Sequence, residues 1–502
     1  MTVNSENLRF IMGFKLKQFR VKSGFSLKEL AQKTNLSISY LSEIEKGKKY
    51  PKPEKILQLA QALEITFDDL VSLQVNKDFD PLPVIFSSPV LKEFPFRMYG
   101  VQPQDLLALI TGDPEKSGAL IRTFLEIGQD YDMHVEHLLQ AALRSYQQMH
   151  QNYFEDIENA AAAFILESGW EVSPPLNVSK LKAYLQNELG YIIDENGLQR
   201  YPELRDFRAI WVNANPPRLL IKPGLLAAQQ AFIFGREAAF NYMNLRERSN
   251  TPAKMISSFE QLLNDFKASY FSGALLMNRK LLSEDMKQFL QNSSWNGPAF
   301  LELIKKYGVT PEMFLYRLSA LMPRFFGLRE LIFFRFQHDS AHRQFELSKI
   351  FNMSKILIPN GVGAKEHHCR RWMSLQLLQT LIDAPAAASE TALIAAQRLH
   401  FININQELFC ITLAYPSPLI PNKQISVTIS FVINPAFKRA VAFWDDPKIP
   451  RVEVNETCER CGLSAEQCSE RVTPPDIYVH QQEMEKQAEV LNRLLKNIKG
   501  EG

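Results

Sequence analysis

The chain has 502 residues, more than one hydrophobic core usually serves, so about two to four domains are expected. Its 46% apolar and 22% charged residues are those of an ordinary globular protein, and a formal charge of +2 excludes a chain that grips nucleic acid along its whole length. The basic character is local: residues 1–75 hold 12 Lys and Arg against 8 Asp and Glu, which leaves the remainder slightly acidic. No apolar run approaches the roughly 20 residues that span a bilayer, and no signal peptide precedes the first helix, so a cytoplasmic protein with no membrane partner is expected. All five cysteines (Cys369, Cys410, Cys458, Cys461, Cys468) fall in the last third, and a reducing compartment makes them thiols or metal ligands rather than disulfides.

Residues 24–51, GFSLKELAQKTNLSISYLSEIEKGKKYP, carry the strongest local signal. Leu27, Leu30 and Ala31 share one face of a first helix, and Ile38, Leu41 and Ile44 line a second. Ser26 with Glu29 makes a capping box, Ser37 is a good N-cap, and the turn from Lys33 to Leu36 is short and polar. Leu8 to Val21 supplies a leading helix, Pro53 opens a fourth whose Ile56, Leu59, Ala60 and Leu63 face inward, and Thr66 caps a fifth. This order resembles the Xre/Cro family of helix-turn-helix DNA-binding domains, in which the second helix of the pair enters the major groove of double-stranded DNA. The resemblance implies that Ser37, Ser39 and Tyr40 lie near base edges while Lys28, Lys46, Lys48 and Lys49 reach phosphates.

Asn76 to Pro95, with Pro81, Pro83, Pro89 and Pro95, reads as a linker that places a domain boundary near residue 76. Residues 103–170 and 178–185 read as helices, FRAIWV and RLLIKP as a hairpin around Asn213 to Pro217, and Leu225 to Arg246 as a long helix. The order resembles the ImmA/IrrE family of zinc-dependent peptidase-like domains, whose long helix bears HExxH. Here the pentapeptide is Arg236, Glu237, Ala238, Ala239 and Phe240. Zinc in such a site needs two imidazoles one helical turn apart, so the expectation is a scaffold without catalytic residues, in which Glu237 is structural or paired with Arg236 or another base. The later DFKASYFSGALLMNRKLL fits the core helix behind such a site. HDSAH, from His338 to His342, follows the β-prone LIFFRFQ and reads as a polar turn carrying surface histidines.

Further on, EHHCRRW (366–372), LFCITLA (408–414) and CERCGLSAEQCSERVTPP (458–475) occur in that order. With the two preceding domains they resemble a family of bacterial regulators called short-chain fatty acyl transcriptional regulators. That resemblance implies an effector of the short-chain acyl-coenzyme A class and control of carbon or lipid metabolism genes, with Trp372 as the expected lining of the acyl pocket. From chemistry alone, Cys458, Cys461 and Cys468 offer three thiolates, and a structural zinc would need a fourth ligand from Cys369, Cys410 or His367; otherwise the reduced cysteines pack within the loop. QISVTISFVINPAFKRAVAFWDD reads as two antiparallel strands around Asn434 and Pro435. The final helix carries an apolar stripe at Met484, Ala488, Leu491, Leu495 and Ile498, expected to dock on the protein's own body or, more sharply, to form a homodimer contact.

The expected architecture is multidomain, mainly α with α+β parts. It comprises an N-terminal five-helix Xre/Cro-type bundle over residues 1–75, a linker over 76–100 and an ImmA/IrrE-like domain with a small sheet and no zinc motif over 101–295. A mixed α/β C-terminal sensor domain with the cysteine motif follows over 296–478, and a C-terminal helix over 479–502. The function expected is a ligand-responsive transcription regulator. The alternatives are a metallopeptidase-like regulator that cleaves a partner repressor and a ligand-independent DNA-binding protein.

Overall fold

The computed structural model describes residues 5–71, 135–204, 207–251, 258–339, 344–356, 358, 366–384, 392–418, 420 and 423–499. The chain forms two compact units, residues 1–146 and 147–502. The expected linker and the first expected helices of the middle region lie outside the described residues.

In the first unit five helices follow in order: α1 (Ser5–Lys22), α2 (Leu27–Thr34), α3 (Ile38–Glu45), α4 (Pro53–Ala62) and α5 (Phe67–Val71). The caps form as the sequence dictates. Ser26 and Glu29 close a reciprocal capping box on α2, Ser37 Oγ accepts from the Tyr40 N–H, and Thr66 exchanges bonds with Asp69 at α5. Met12, Leu16, Leu30, Leu41, Ile44, Ile56 and Leu59 make one core, each 1% exposed or less. Gly13 is required there, because a Cβ on α1 would stand 2.2 Å from the Ile44 carbonyl oxygen of α3. Ile38 departs from the expected inward stripe: it opens the first turn of α3 beyond the core and is 48% exposed.

The second unit begins with helices. α6 (Val135–Met149) straddles the division in sequence, and α7 (Glu155–Glu167) follows a break at Gln151 and Asn152, both at positive φ. α8 (Val178–Ala183) runs into a single π-helical turn, Tyr184–Glu188. The expected hairpin is present as β2 (Ala209–Val212) and β3 (Arg218–Ile221); β1 (Ile192–Asp194), unforeseen, pairs in parallel with β3. The long helix α9 (Ala227–Tyr242) is shorter than expected at both ends, and Asn244 at φ 51° turns the chain after it. Behind it lies α10 (Phe259–Leu276), so close that a Cβ at Gly235 would meet Ser272 Oγ at 2.4 Å. α11 (Arg279–Leu290), α12 (Gly297–Tyr307) and α13 (Pro311–Phe326) complete the helical part.

A six-stranded sheet follows in the order β5-β4-β8-β7-β6-β9, antiparallel except for β6 with β9. Its strands are β4 (Leu331–Asp339), β5 (Gln344–Asn352), β6 (Leu393–Phe401), β7 (Gln406–Pro416), β8 (Lys423–Val432) and β9 (Arg451–Val454). The central strands β7 and β8 are buried at consecutive residues, Leu408 to Ala414 and Ile425 to Phe431, because both faces are covered there. Ile332, Phe334 and Phe336 pack with Trp372 and Leu375 of α14 (Met373–Asp383), while Phe333 meets Tyr316 of α13 at 5.2 Å on the other face. α12 and α13 carry the helical part past the expected boundary at 295/296, and α13 contacts α10 and α11, so the change from helices to sheet at Leu331 is one of architecture within a single unit.

Three expectations are corrected. His338 and Asp339 belong to β4, not to a turn, and His338 is 7% exposed with Nδ1 3.3 Å from Gln424 Oε1; His342 lies outside the described residues. The run after Asn434 is α15 (Pro435–Ala440) instead of a strand, because Asn434 accepts from the Phe437 N–H and Pro435 has no N–H to give a ladder. The final helix α16 (Asp476–Lys499) touches the body through its first turn, where the Tyr478 N–H donates to the Glu459 carbonyl at 3.0 Å, but the expected stripe does not dock among the described residues: Met484, Val490, Leu491 and Leu494 are each more than half exposed. No helix among the described residues is long and apolar enough to cross a membrane.

Candidate functional sites

The first site is the exposed side of α2 and α3. Lys28, Ser37, Ser39, Lys46, Lys48 and Lys49 are all exposed, as a phosphate- and base-facing surface requires. They are not equivalent. Ser37 Oγ is occupied by the cap at 3.1 Å, Tyr40 is half-buried against the core, and Lys49 is held by Glu43 at 2.7 Å. Ser39 and the exposed Ile38 are therefore the side chains at the start of α3 most open to a groove, and Ile38 was missed because its spacing matches the core stripe. The helix is held from behind by Arg20 of α1, which makes a two-point contact with Glu45 (2.6 and 3.0 Å) and donates to the Phe25 carbonyl at 2.8 Å.

The second site is the REAAF turn of α9. Arg236, Glu237 and Phe240 are buried, at 5%, 4% and 5% exposure. Arg236 donates to Asp265 of α10. Arg248 donates to both Glu237 oxygens (2.8 and 3.0 Å) and lies over the rings of Trp211 (3.9 Å) and Phe240 (4.0 Å). The Tyr191 hydroxyl completes the group, donating to Glu237 at 3.1 Å; burial first and the Glu237 charge second push its pKa up. A zinc ion does not fit. One imidazole position presents a guanidinium, the other a phenyl ring that serves as a platform for Arg248, and the glutamate is spent on an ion pair.

The third site is a cavity of about 360 Å³ lined by α9, α10, α13, β4, β5, β7 and β8. Among the described residues its wall carries six cations, Arg208, Arg236, Arg317, Arg335, Lys349 and Lys423, against the carboxylates Asp265 and Glu312. Phe232, Met277, Met313 and Ile425 add an apolar side. Arg317 is committed to buried Glu158 (2.5 and 2.9 Å). Glu312 faces Arg335 and Lys349, each at 3.4 Å; burial would raise its carboxyl, but Lys349, Arg335 and Arg208 outweigh this and hold it below the ordinary value. Trp372 does not line this cavity. It is 1% exposed among Phe334, Phe336 and Phe401, and its indole donates to the Asn455 carbonyl at 3.2 Å.

The fourth is the cysteine loop, stitched to EHHCRRW from several sides. Glu366 accepts from Arg460 (2.7 and 2.8 Å), Glu459 accepts from the His367 N–H at 2.9 Å, and Arg471 donates to the carbonyls of Cys458 (2.7 Å) and Cys461 (2.9 Å). Cys369, Cys458, Cys461 and Cys468 are buried neighbours; burial, then the adjacent Cys458 and Cys461, push the Cys369 thiol up to about 12. Cys410 stands apart in β7, accepting from the Ser430 hydroxyl at 3.1 Å. Among the described residues no three His, Cys, Asp or Glu side chains are arranged as a metal-ligand set.

Comparison with known proteins bears on the first two sites. Residues 16–70 match the helix-turn-helix family model, and residues 196–319 match the IrrE N-terminal-like domain of the M78 peptidases. A solved structure of a Mycobacterium tuberculosis transcriptional regulator is 17% identical with a TM-score of 0.46, over 67% of this chain and 94% of that one. No curated protein gives a significant match. The chain thus joins a helix-turn-helix domain to an IrrE-like domain and an α/β C-terminal region.

Proposed function

We propose that the protein is a sequence-specific DNA-binding transcription regulator, active as a homodimer, whose hold on DNA answers to a short-chain acyl-coenzyme A. The observation that carries the DNA-binding part is α3: capped at Ser37, clamped by Arg20–Glu45, and bearing Ile38 and Ser39 on an exposed face with Lys28, Lys46 and Lys48 around it. Ser39 reads a base edge by hydrogen bonding, Ile38 contacts a thymine methyl, and the lysines fix position on the backbone.

One such domain covers too little DNA for high specificity, which favours two half-sites about one helical turn, or roughly 34 Å, apart. The exposed 24-residue α16 supports a dimer. Its first half carries Asp476, Glu483 and Glu485 against Lys486, and the sequence places Arg493, Lys496 and Lys499 toward its end, so two copies laid antiparallel set a net acidic half against a basic end around Met484 and Leu491. Removing residues 479–502 then converts a dimer into a monomer in sedimentation.

For the effector, the cationic wall and apolar side of the 360 Å³ cavity suit the phosphates and acyl chain of a thioester. Propionyl- and acetyl-coenzyme A are titrated into the protein with and without bound DNA. Linkage requires the factor by which the thioester changes DNA affinity to equal the factor by which DNA changes thioester affinity. Saturable binding lost in Lys349→Ala supports the assignment, and no saturable binding removes it. The REAAF region acts as scaffold; chelator-sensitive proteolysis that vanished in Glu237→Gln would contradict this. A structural zinc would have to draw on Cys369, Cys458, Cys461 and Cys468, which are not arranged as a ligand set among the described residues, and elemental analysis of purified protein decides between one zinc per chain and reduced thiols packed within the loop.

A further inference from the structure

Four aromatic rings from α7, the segment after it, the π-helical turn and the end of α9 meet at near right angles. Phe164 of α7 is the buried floor, 1% exposed. Trp170 stands on it at 5.4 Å and 90°, Tyr184 at 5.0 Å and 89°, and Tyr242 at 5.3 Å and 79°, while Trp170 and Tyr184 cross at 86° with centroids 6.3 Å apart. They line an open groove of about 590 Å³ whose rim carries the exposed carboxylates Glu167 and Glu188. Glu167 lies close enough to the Tyr242 hydroxyl that its charge, after burial, pushes the Tyr242 pKa up.

The groove owes its shape to local backbone. Tyr184 and Glu188 are the first and last residues of the π-helical turn that ends α8. The turn brings the Tyr184 ring, Asn187 and Glu188 to the same groove.

We propose that this groove binds a small organic cation of the quaternary or alkylated ammonium class. Aromatic faces carry negative potential and attract a weakly hydrated cation, which surrenders its water at little cost, and perpendicular walls present more than one face to a single head group. Glu167 and Glu188 add charge at the rim, against one cation, Lys180, among the described lining residues. The volume exceeds a trimethylammonium head and leaves room for a short substituent.

Calorimetric titration of the full-length protein with choline, and with its neutral isostere 3,3-dimethyl-1-butanol, tests the assignment at fixed ionic strength. Saturable choline binding at least tenfold tighter than the isostere is expected, falling threefold or more in Glu188→Gln and tightening in Lys180→Ala. Both substitutions are of groove-rim side chains and leave the fold intact. Trp170→Leu removes binding, with the melting temperature reported alongside. Equal binding of the two probes, no choline binding, or a Lys180→Ala variant that binds less would each overturn the proposal.

Discussion

The α3 and α9 helices both carry a functional motif, and they handle charge in opposite ways. Around α3 the lysines are exposed, and the polar atoms needed to start the helix come from residues three positions away. In α9, Arg236 and Glu237 are buried, and their partners Asp265, Arg248 and Tyr191 arrive from 29, 11 and 46 residues away in sequence. An exposed charge remains free to meet a phosphate, whereas a buried one is stabilised only by its partner and becomes part of the packing. In the first arrangement the charges stay at the surface, and in the second they belong to the core.

Substitutions in and around the two helices should therefore separate stability from function. The largest effect is expected for Arg236→Ala, which leaves Asp265 buried without its cation and costs about 3–5 kcal/mol in a denaturant titration. If its cost were no greater than that of an exposed residue, the buried-core reading of α9 would fail. Arg20→Ala, at a pair only partly open to solvent, should lose about 1.5–3 kcal/mol and weaken DNA binding through disorder of α3, without changing which sequences are preferred. Ser26→Ala removes one cap and should cost about 1 kcal/mol.

The smallest effects sharpen the comparison most. Lys48→Ala should leave stability unchanged and lower the slope of log K against log salt by about 0.9, since one phosphate contact is lost. Lys49→Ala should lower it less, because Glu43 already holds that ammonium; Glu43→Gln should release it and strengthen binding to all duplexes alike. Equal slopes for Lys48→Ala and Lys49→Ala would show that the Glu43 pair yields to DNA.

The same contrast explains what could be read from the chain alone. The helix-turn-helix unit was legible because caps, turn and core spacing lie within a few residues of one another, as Ser26–Glu29 and Ser37–Tyr40 show. Ile38 was misplaced for an equally local reason: periodicity cannot tell the first turn of a helix from its middle. In the second unit REAAF disclosed the loss of the metal ligands but not what replaced them, since Asp265 and Arg248 carry no local mark of their role. The cavity was invisible for the same reason, because its walls come from α9, α10, α13 and four strands. Trp372 was a plausible lining residue by type, yet large aromatics serve a core as readily as a ligand, and here the sheet claims it.

Selection of duplexes from a random-sequence pool by the full-length protein, repeated with Ile38→Ala/Ser39→Ala, tests the reading helix most directly. The wild type should enrich two related half-sites about one helical turn apart, and the double variant should lose preference at the same positions in both halves while keeping its affinity for unselected DNA. Recovery of no enriched sequence, or of the same motif by both proteins, would contradict the assignment of α3 to the major groove.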